Sequence, residues 1–422
     1  MTLSAPASDP TSSYEPAAET VAAGPLAILF HRFGPYHRAR IEGAAQFGPV
    51  LAIEMSSRTS VYAWDPVELS GDVRRETLFK DSDSREQDFA TLYARIDQVL
   101  SEARPCAVAV NGWSDNGALA SLLWCRKNAV PAIVMSETQE RDFARVGWKE
   151  WIKRRIVGGF SAGFGGGHNH TAYLAKLGLP RDSLFIGYDA VDNAHFREKS
   201  AAARQDPAAA RATHGIPERP FILTSNRFIE KKNLARVLDA FALYRKEAPQ
   251  TSRLWDLVLL GDGDLRADLE ARVAEHGLQD HVHFCGFRQY DELPAWYGLT
   301  DLFLHASTTE QWGLVVNEAM AAGLPVVVSE ACGSSELVAD GESGYRFDPL
   351  EMRQLADILL KMAADPEKLS AMGERGAELI ADYSPATFGE GIWRAVEAAR
   401  RNGAKPLNFL DALIVRYCHP RS

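Results

Sequence analysis

The chain has 422 residues, 46% of them hydrophobic and 24% charged, with a formal net charge of -10. This length exceeds the roughly 250 residues beyond which a single core stops growing, so two domains are expected, and the composition excludes wholesale disorder or a fibre. The acidic balance argues against general nucleic-acid binding, which needs a basic patch or stripe, so any polyanion must be met locally.

Met1 to Gly24 is rich in Ala, Pro, Ser and Thr and has neither the basic start nor the apolar stretch of a signal peptide, so 1–24 is read as a disordered leader. Order is expected from Pro25. Leu26 to Phe30 is a short apolar run closed by His31-Arg32-Phe33-Gly34-Pro35, the pattern of a buried first strand feeding a loop. Val50 to Ile53, Ala107 to Val110 and Pro131 to Met135 repeat that pattern, separated by helix-like stretches at Glu86 to Leu100 and Leu119 to Lys127. Such alternation predicts a parallel sheet covered by helices, here over 25–190. An Ala-rich, charged segment with Pro207 and Pro217 reads as an inter-domain linker over 191–216.

A second strand series opens at Phe221 to Thr224 and continues through Leu257 to Leu260, Val282 to Cys285, Leu302 to His305 and Val326 to Ser329. Helical patterns at Asn233 to Glu247 and Leu265 to His276 alternate with it, giving a second doubly wound domain over 217–385. The remainder, 386–422, is read as a helix and tail that return to the first domain. No run reaches the roughly 18 apolar residues that a membrane-spanning helix needs. Cys106, Cys125, Cys285, Cys332 and Cys418 are odd in number and lack a Cys-x-x-Cys pair, which suggests a reducing, cytoplasmic setting.

The stretch from Asp301 to Ser329 reads strand, loop, helix, strand, and it carries Glu310 and Glu318 eight residues apart. Gly313 near the helix start puts Glu310 in the loop and Glu318 in the first turns, so both can face one cleft beside a helix N-terminus. Carboxylates there accept bonds from sugar hydroxyls, while free helical N–H groups favour phosphate. A charged loop followed by a solvated helix residue fits the spacing equally well.

Glu310 to Glu318 with the following Ala-Met-Ala-Ala-Gly-Leu-Pro-Val-Val resembles the signature of family 4 retaining glycosyltransferases, the glycosyl transferases group 1. The resemblance continues through Leu257 to Gly263, Val282 to Phe287, Gly333 to Glu336 and Asp340 to Gly344, and Gly187 to Phe196 is similar to the family's joint between domains. It implies a GT-B α/β fold, two doubly wound Rossmann-like domains facing across a cleft. It also implies sugar transfer from a nucleoside diphosphate sugar to a glycan or lipid-linked acceptor, with retention of configuration and without metal or cofactor, in bacterial surface polysaccharide or glycolipid synthesis. Two rival readings stay open: a GT-B epimerase or phosphorylase, and a non-catalytic subunit of a glycan assembly complex.

By the same resemblance, Arg227 and Lys232 in Ser225-Asn-Arg-Phe-Ile-Glu-Lys-Lys-Asn hold the donor diphosphate, and Lys231 is a solvated neighbour. Glu318 would take the ribose hydroxyls and Glu310 would lie against the donor sugar. Gly313, Leu314 and Val315 at the helix start, Gly34 after the first strand, and Gly333 and Ser334 in a later loop complete the expected donor contacts. Glu137 stands where family members often carry a histidine, which leaves donor preference open. His37, Trp113 and Asp115 are expected on the acceptor side, although His37 also suits the surface and Trp113 plain packing. His168 and His170 lack a third metal ligand, and Asp262-Gly-Asp264 sits where the family has a structural turn, so no metal is expected. Trp148 to Val157 mixes tryptophans, aliphatics and cations at helical spacing, as a helix lying on an anionic membrane would, or as an ordinary solvated helix would.

Overall fold

The structure, a computed structural model, describes residues 14–57, 65–70, 73–142, 145–249 and 254–418. Two wholly parallel sheets organise it. The first joins β1 (Leu26–Phe30), β2 (Val50–Ser56), β3 (Arg74–Phe79), β4 (Ala107–Asn111), β5 (Ala132–Ser136), β6 (Ala162–Gly165) and β7 (Leu184–Ile186) in the order β3-β2-β1-β4-β5-β6-β7. The second joins β8 (Phe221–Ser225), β9 (Asp256–Leu260), β10 (Val282–Gly286), β11 (Leu302–His305), β12 (Val326–Ser329) and β13 (Gly344–Phe347) in the order β10-β9-β8-β11-β12-β13. Every residue of β1, β2, β5 and β9 is buried, because helices cover both faces of a parallel sheet, and this is why those strands read as continuous apolar runs.

Each sheet reverses its strand order once, between β1 and β4 and between β8 and β11. Loops leaving the carboxyl ends of neighbouring strands diverge at such a point and open a crevice there. The loops singled out from sequence fall at these two places: His31 to His37 follows β1, Asn111 to Asp115 closes β4, Arg227 to Lys232 follows β8, and Ser307 to Gly313 follows β11.

Three expectations change. Residues 1–13 of the expected leader lie outside the described residues, but its end is packed: Ala18–Ala22 is a helix, Tyr14 lies 5.9 Å from the Phe47 ring, and the Ala17 N–H donates to Glu397 at 2.9 Å. The segment read as a linker is two helices, Asn193–Gln205 and Pro207–His214, joined at Asp206, which caps the second of them through the Ala209 N–H. Phe196 and Ser200 of the first are buried against the helix Leu293–Leu299, the Ser200 hydroxyl donating to Pro294 O at 2.9 Å, so this segment belongs to the second domain. Strands β3, β6, β7 and β13 carry no apolar run of the expected kind: β3 is polar at an edge, β6 is Ala-Gly-Phe-Gly, and β7 has three residues.

The helix Pro385–Asn402 crosses back from the second domain and lies along the helix Pro35–Ala45. Phe388, Ile392, Trp393 and Val396 join the core beneath β1, and the Trp393 indole donates to Ala44 O at 2.9 Å. The crossing is close because both helices offer glycine: a Cβ on Gly43 would stand 2.0 Å from Pro385 O, and one on Gly389 would stand 2.3 Å from Gly43 O. Gly43→Val should therefore push the helices apart and lower stability by at least about 1–3 kcal/mol, the usual cost of overpacking. Urea unfolding measures it, and an unchanged midpoint would show that the crossing tolerates a wider gap.

Candidate functional site

The helix Leu314–Ala321 starts at Gly313, whose φ of +104° suits glycine and whose Cβ would lie 2.9 Å from Cys332 Sγ and 3.4 Å from His305 Nε2. Leu314 and Val315, in its first turn, lie before the intrahelical hydrogen bonds begin. Glu318 is one turn further on and completely buried. Among the described residues no cation answers it. Instead Tyr36, from the first domain, donates a short hydrogen bond to Oε1, and Tyr297 donates to Oε2 at 2.7 Å. Burial pushes the Glu318 carboxyl up to about 7, with the two phenols pulling the other way.

Glu310 has the opposite surroundings. Lys232 makes a short ion pair with its Oε2, Lys231 lies 3.3 Å from Oε1, and the Ser307 hydroxyl donates to Oε2 at 3.3 Å. Although burial acts to raise it, these cations and His305 hold the carboxyl down at about 2. Lys231 is thus a partner of Glu310 and not a solvated neighbour, and its carbonyl accepts the Thr308 N–H at 2.8 Å, tying the β8 and β11 loops together. His305, fully buried at the end of β11, is 4.0 Å from Glu310 and is kept neutral by burial and Lys232, its pKa lowered to about 3.

Arg227 is exposed and makes no side-chain hydrogen bond or ion pair with a described residue, so its guanidinium is available to a ligand. Its loop is pressed against the end of β9, where Cβ atoms on Gly261 and Gly263 would meet Asn226 O at 1.8 Å and Phe228 O at 2.7 Å. Asp262 closes this turn by accepting the Gly263 N–H at 2.8 Å.

Several expected contacts are otherwise engaged. The Gly333 and Ser334 amides donate to Glu310 O and Trp312 O at 3.0 and 3.1 Å, and the Ser334 hydroxyl also donates to Trp312 O, so both residues brace the Glu310 loop and offer no N–H to a donor. The Gly34 amide donates to His37 Nδ1 at 3.1 Å, which likewise removes it as a phosphate donor and makes His37 a cap of its own helix. His37 packs on the Phe30 ring at 4.4 Å, and burial lowers its pKa to about 3. Trp113 is buried against Tyr173 at 6.3 Å and has no open ring face for a sugar. Asp115 accepts the Gly117 and Ala118 N–H groups, capping the helix Asn116–Lys127, and lines a crevice at the β1/β4 reversal with His31 and Asn111.

Glu137, just past β5, adjoins Asp189, which is fully buried and forms an ion pair with Arg40 at 3.3 Å. Burial first and Glu137 second push the Asp189 carboxyl well above the usual range, with Arg40 pulling the other way, so two acids stand together where the resemblance expects a histidine. His168 is exposed and His170 buried, the latter accepting the Gly167 N–H at 3.0 Å through Nδ1, with Nε2 2.9 Å from Gln311 O. Among the described residues no three His, Cys, Asp or Glu side chains are grouped to hold a metal.

Sequence reasoning passed over the residues that join the two domains at the site. Tyr36 to Glu318, Gln139 to Gln311 O at 2.7 Å, Arg141 to Glu330 O at 2.7 Å, the His168 N–H to Glu336 at 2.9 Å and Asn317 to Asp189 O at 2.8 Å all cross the cleft. Gln139 and Arg141 stand two apart just after β5, where a polar pair in the loop beyond the strand's carboxyl end was the one available signal.

Residues 207–379 match the family model described as glycosyl transferases group 1. The alpha-D-kanosaminyltransferase of Streptomyces kanamyceticus is 30% identical over 226 residues, covering 52% of this chain and 56% of the relative. A GDP-mannose-dependent alpha-(1-6)-phosphatidylinositol monomannoside mannosyltransferase of Mycobacterium tuberculosis is 28% identical over 248 residues, covering 56% of this chain and 62% of the relative. The chain thus spans little more than half the length of these curated relatives. Among solved structures, sucrose-phosphate synthase of Thermosynechococcus elongatus superimposes with a TM-score of 0.68 at 20% identity, covering 87% of this chain and 96% of that one. HepE of Anabaena, in complex with UDP and glucose, gives 0.64 at 18% identity, covering 87% and 98%. The architecture is GT-B.

Glu318 supplies a test of the site's electrostatics. A carboxyl whose folded pKa is raised contributes stability that is full below its unfolded value and is lost as pH rises through the folded one, here about 7. Glu318→Gln does not titrate, so its stability relative to the native chain should rise by about 2 kcal/mol between about pH 5 and pH 8. Urea unfolding at the two pH values measures this, and parallel behaviour of the two proteins would mean Glu318 is ordinarily ionised.

Proposed function

We propose that this chain, whose residues 207–379 form a domain of the glycosyl transferases group 1 family, transfers a sugar from a nucleoside diphosphate sugar to an acceptor hydroxyl with retention of configuration. The observation that carries the reading is the meeting, at the β8/β11 reversal, of the Arg227 to Lys232 loop with Glu310 and the open turn of the Leu314–Ala321 helix. Cations, a carboxylate and helical N–H groups converge there, as a sugar diphosphate requires.

Arg227, whose side chain bonds to no described residue, and Lys232 neutralise the diphosphate and the further charge it gains as the bond from the anomeric carbon to its phosphate oxygen breaks. The acceptor oxygen attacks on the face that the phosphate leaves, and the departing phosphate oxygen takes its proton. Configuration is kept, and neither a metal nor a cofactor enters. Glu310, ionised throughout the neutral range, lies beside the donor sugar and steadies positive charge at the anomeric carbon without bonding to it. Ribose hydroxyls take the place of Tyr36 on Glu318, so donor binding exchanges a contact between domains for a contact with substrate. Glu137 stands in place of an imidazole and offers its carboxylate to a hydroxyl of the donor or the acceptor.

The acceptor side lies at the β1/β4 reversal, where His31, Asn111 and Asp115 line a solvent-open crevice. A glycan or lipid-linked acceptor of a bacterial surface polymer fits this reading, in the cytoplasm, with the Gly147–Val157 helix at the inner face of the membrane.

A titration of UDP, GDP, ADP and dTDP against the protein and two variants tests the assignment. One nucleotide should bind saturably, Arg227→Ala should weaken it about tenfold or more, the worth of a charge-assisted contact, and Glu310→Gln should leave affinity largely intact while cutting turnover about 100-fold. Equal losses from both variants would overturn the division of roles, and no binding by any nucleotide would overturn the transferase reading.

A further inference from the structure

The exposed large hydrophobic side chains are not scattered. Of the ten among the described residues, six stand on two helices, Trp148 and Trp151 on Gly147–Val157 and Phe409, Leu410, Leu413 and Tyr417 on Phe409–Tyr417. Exposure reaches 63% for Trp148 and 80% for Phe409. The two helices pack on each other, and the second also lies on the helix Asn116–Lys127.

The Phe409–Tyr417 helix inverts the usual amphipathic arrangement. Its one carboxylate, Asp411, points inward and is buried, accepting from Arg126 Nη2 at 2.7 Å and from Arg155 Nε at 2.8 Å, beside buried Ile414 and Val415. Its aromatic and aliphatic residues point out. A helix anchored by a buried ion pair in order to show Phe, Leu and Tyr to water exposes apolar area at a cost of roughly 25 cal/mol per Å². Something that covers this face would recover that cost.

Charge indicates what covers it. The carboxylates of the two helices are consumed within the protein, Asp411 as above and Glu150 by Lys153 at 3.1 Å and Arg145 at 3.4 Å. Lys149, Arg154 and Arg416 form no ion pair with a described residue, so the outward charge of the face is positive in a chain whose net charge is -10. A second copy of the same face would bring like charges together across a two-fold axis. Tryptophans beside cations on an apolar face match the headgroup layer of an anionic bilayer, where indoles settle and each cation gains about 1 kcal/mol.

We infer that the Gly147–Val157 and Phe409–Tyr417 helices form one docking face for an anionic lipid bilayer, the second helix inserting its apolar side chains between headgroups. It rests on the proposed function only in that a lipid-linked acceptor would then be met at the membrane, and it adds to that reading a second, C-terminal contact. Because Asp411 ties this helix to Arg126 and Arg155, docking also fixes the orientation of the first domain relative to the membrane.

Flotation of the full chain with vesicles tests it, using phosphatidylcholine alone and phosphatidylcholine mixed with phosphatidylglycerol. The wild type should float with the anionic vesicles only, and progressively less as salt is raised. Trp148→Ser/Trp151→Ser and Leu410→Ser/Leu413→Ser should each reduce binding about tenfold or more, while Arg227→Ala should float like the wild type. All four substituted positions of the face are exposed, so unfolding midpoints should not move. Equal binding to neutral vesicles, no flotation, or a Leu410/Leu413 variant that floats normally would overturn the proposal, as would a soluble dimer that these variants dissociate. Nucleotide affinity is measured on the same preparations, and its absence alongside intact flotation would count against the transferase reading but not against this face.

Discussion

The centre of the molecule is arranged around one buried carboxylate that meets no cation among the described residues. Glu318 lies at zero exposure and is held by two phenols, one from each domain. Burying an ionised acid in this way is expensive unless its oxygens are hydrogen-bonded, and two neutral donors do not fully offset the cost, which is why its pKa is raised to about 7. The acid eight residues earlier meets two lysines and is held at about 2. Two glutamates of one motif therefore differ by several units, because one looks toward the basic loop and the other toward the seam between domains. The same seam carries Asn317 to Asp189 and Glu336 to the His168 amide, so the motif helix and the loop after it are also the mortar between domains.

Sequence was most informative where burial on both sides of a sheet leaves an uninterrupted apolar run. β1, β2, β4, β5, β8, β9, β11 and β12 were legible for this reason, and so were the Glu310 to Glu318 block and the basic loop, which keep fixed places relative to strand ends. β3 was illegible because it is an edge strand with Arg74, Arg75 and Glu76 half out of the core. β6 was illegible because Gly163 and Gly165 leave room for Leu184, Leu174 and Thr171 to approach, so packing supplies what the strand's own side chains do not. Within the site, the kinds of residue were easier to foresee than their duties. Gly333, Ser334 and Gly34 stand close to the chemistry, but their amides are spent on protein acceptors, and no local pattern reveals which acceptor an amide will find. Tyr36 escaped notice because its meaning depends on a residue 282 positions away.

The acid pair of Glu137 and Asp189 shows how far a departure from a family pattern can reach. A histidine at that point would carry its own donor and acceptor and could stand alone. A glutamate there stands beside a second acid, and Asp189 is itself fixed by Arg40 and leads directly into the Asn193–Gln205 helix. Local chemistry in the cleft is thereby coupled to the segment that joins the domains.

The return of the last two helices gives the first domain an unusual history on the ribosome. Phe388, Ile392 and Trp393 complete one face of its sheet, and Ile414 and Val415 complete the other. Synthesis proceeds from the N-terminus, so the lobe begun first cannot be sealed until the last helices emerge, while the lobe encoded between them already holds all of its strands. The later-made half should thus reach its native state earlier, and the half-built first sheet must wait with open apolar faces. Chaperone dependence in this chain should accordingly concentrate in the N-terminal lobe, and a premature stop near residue 385 would strand that lobe although none of its strands is missing.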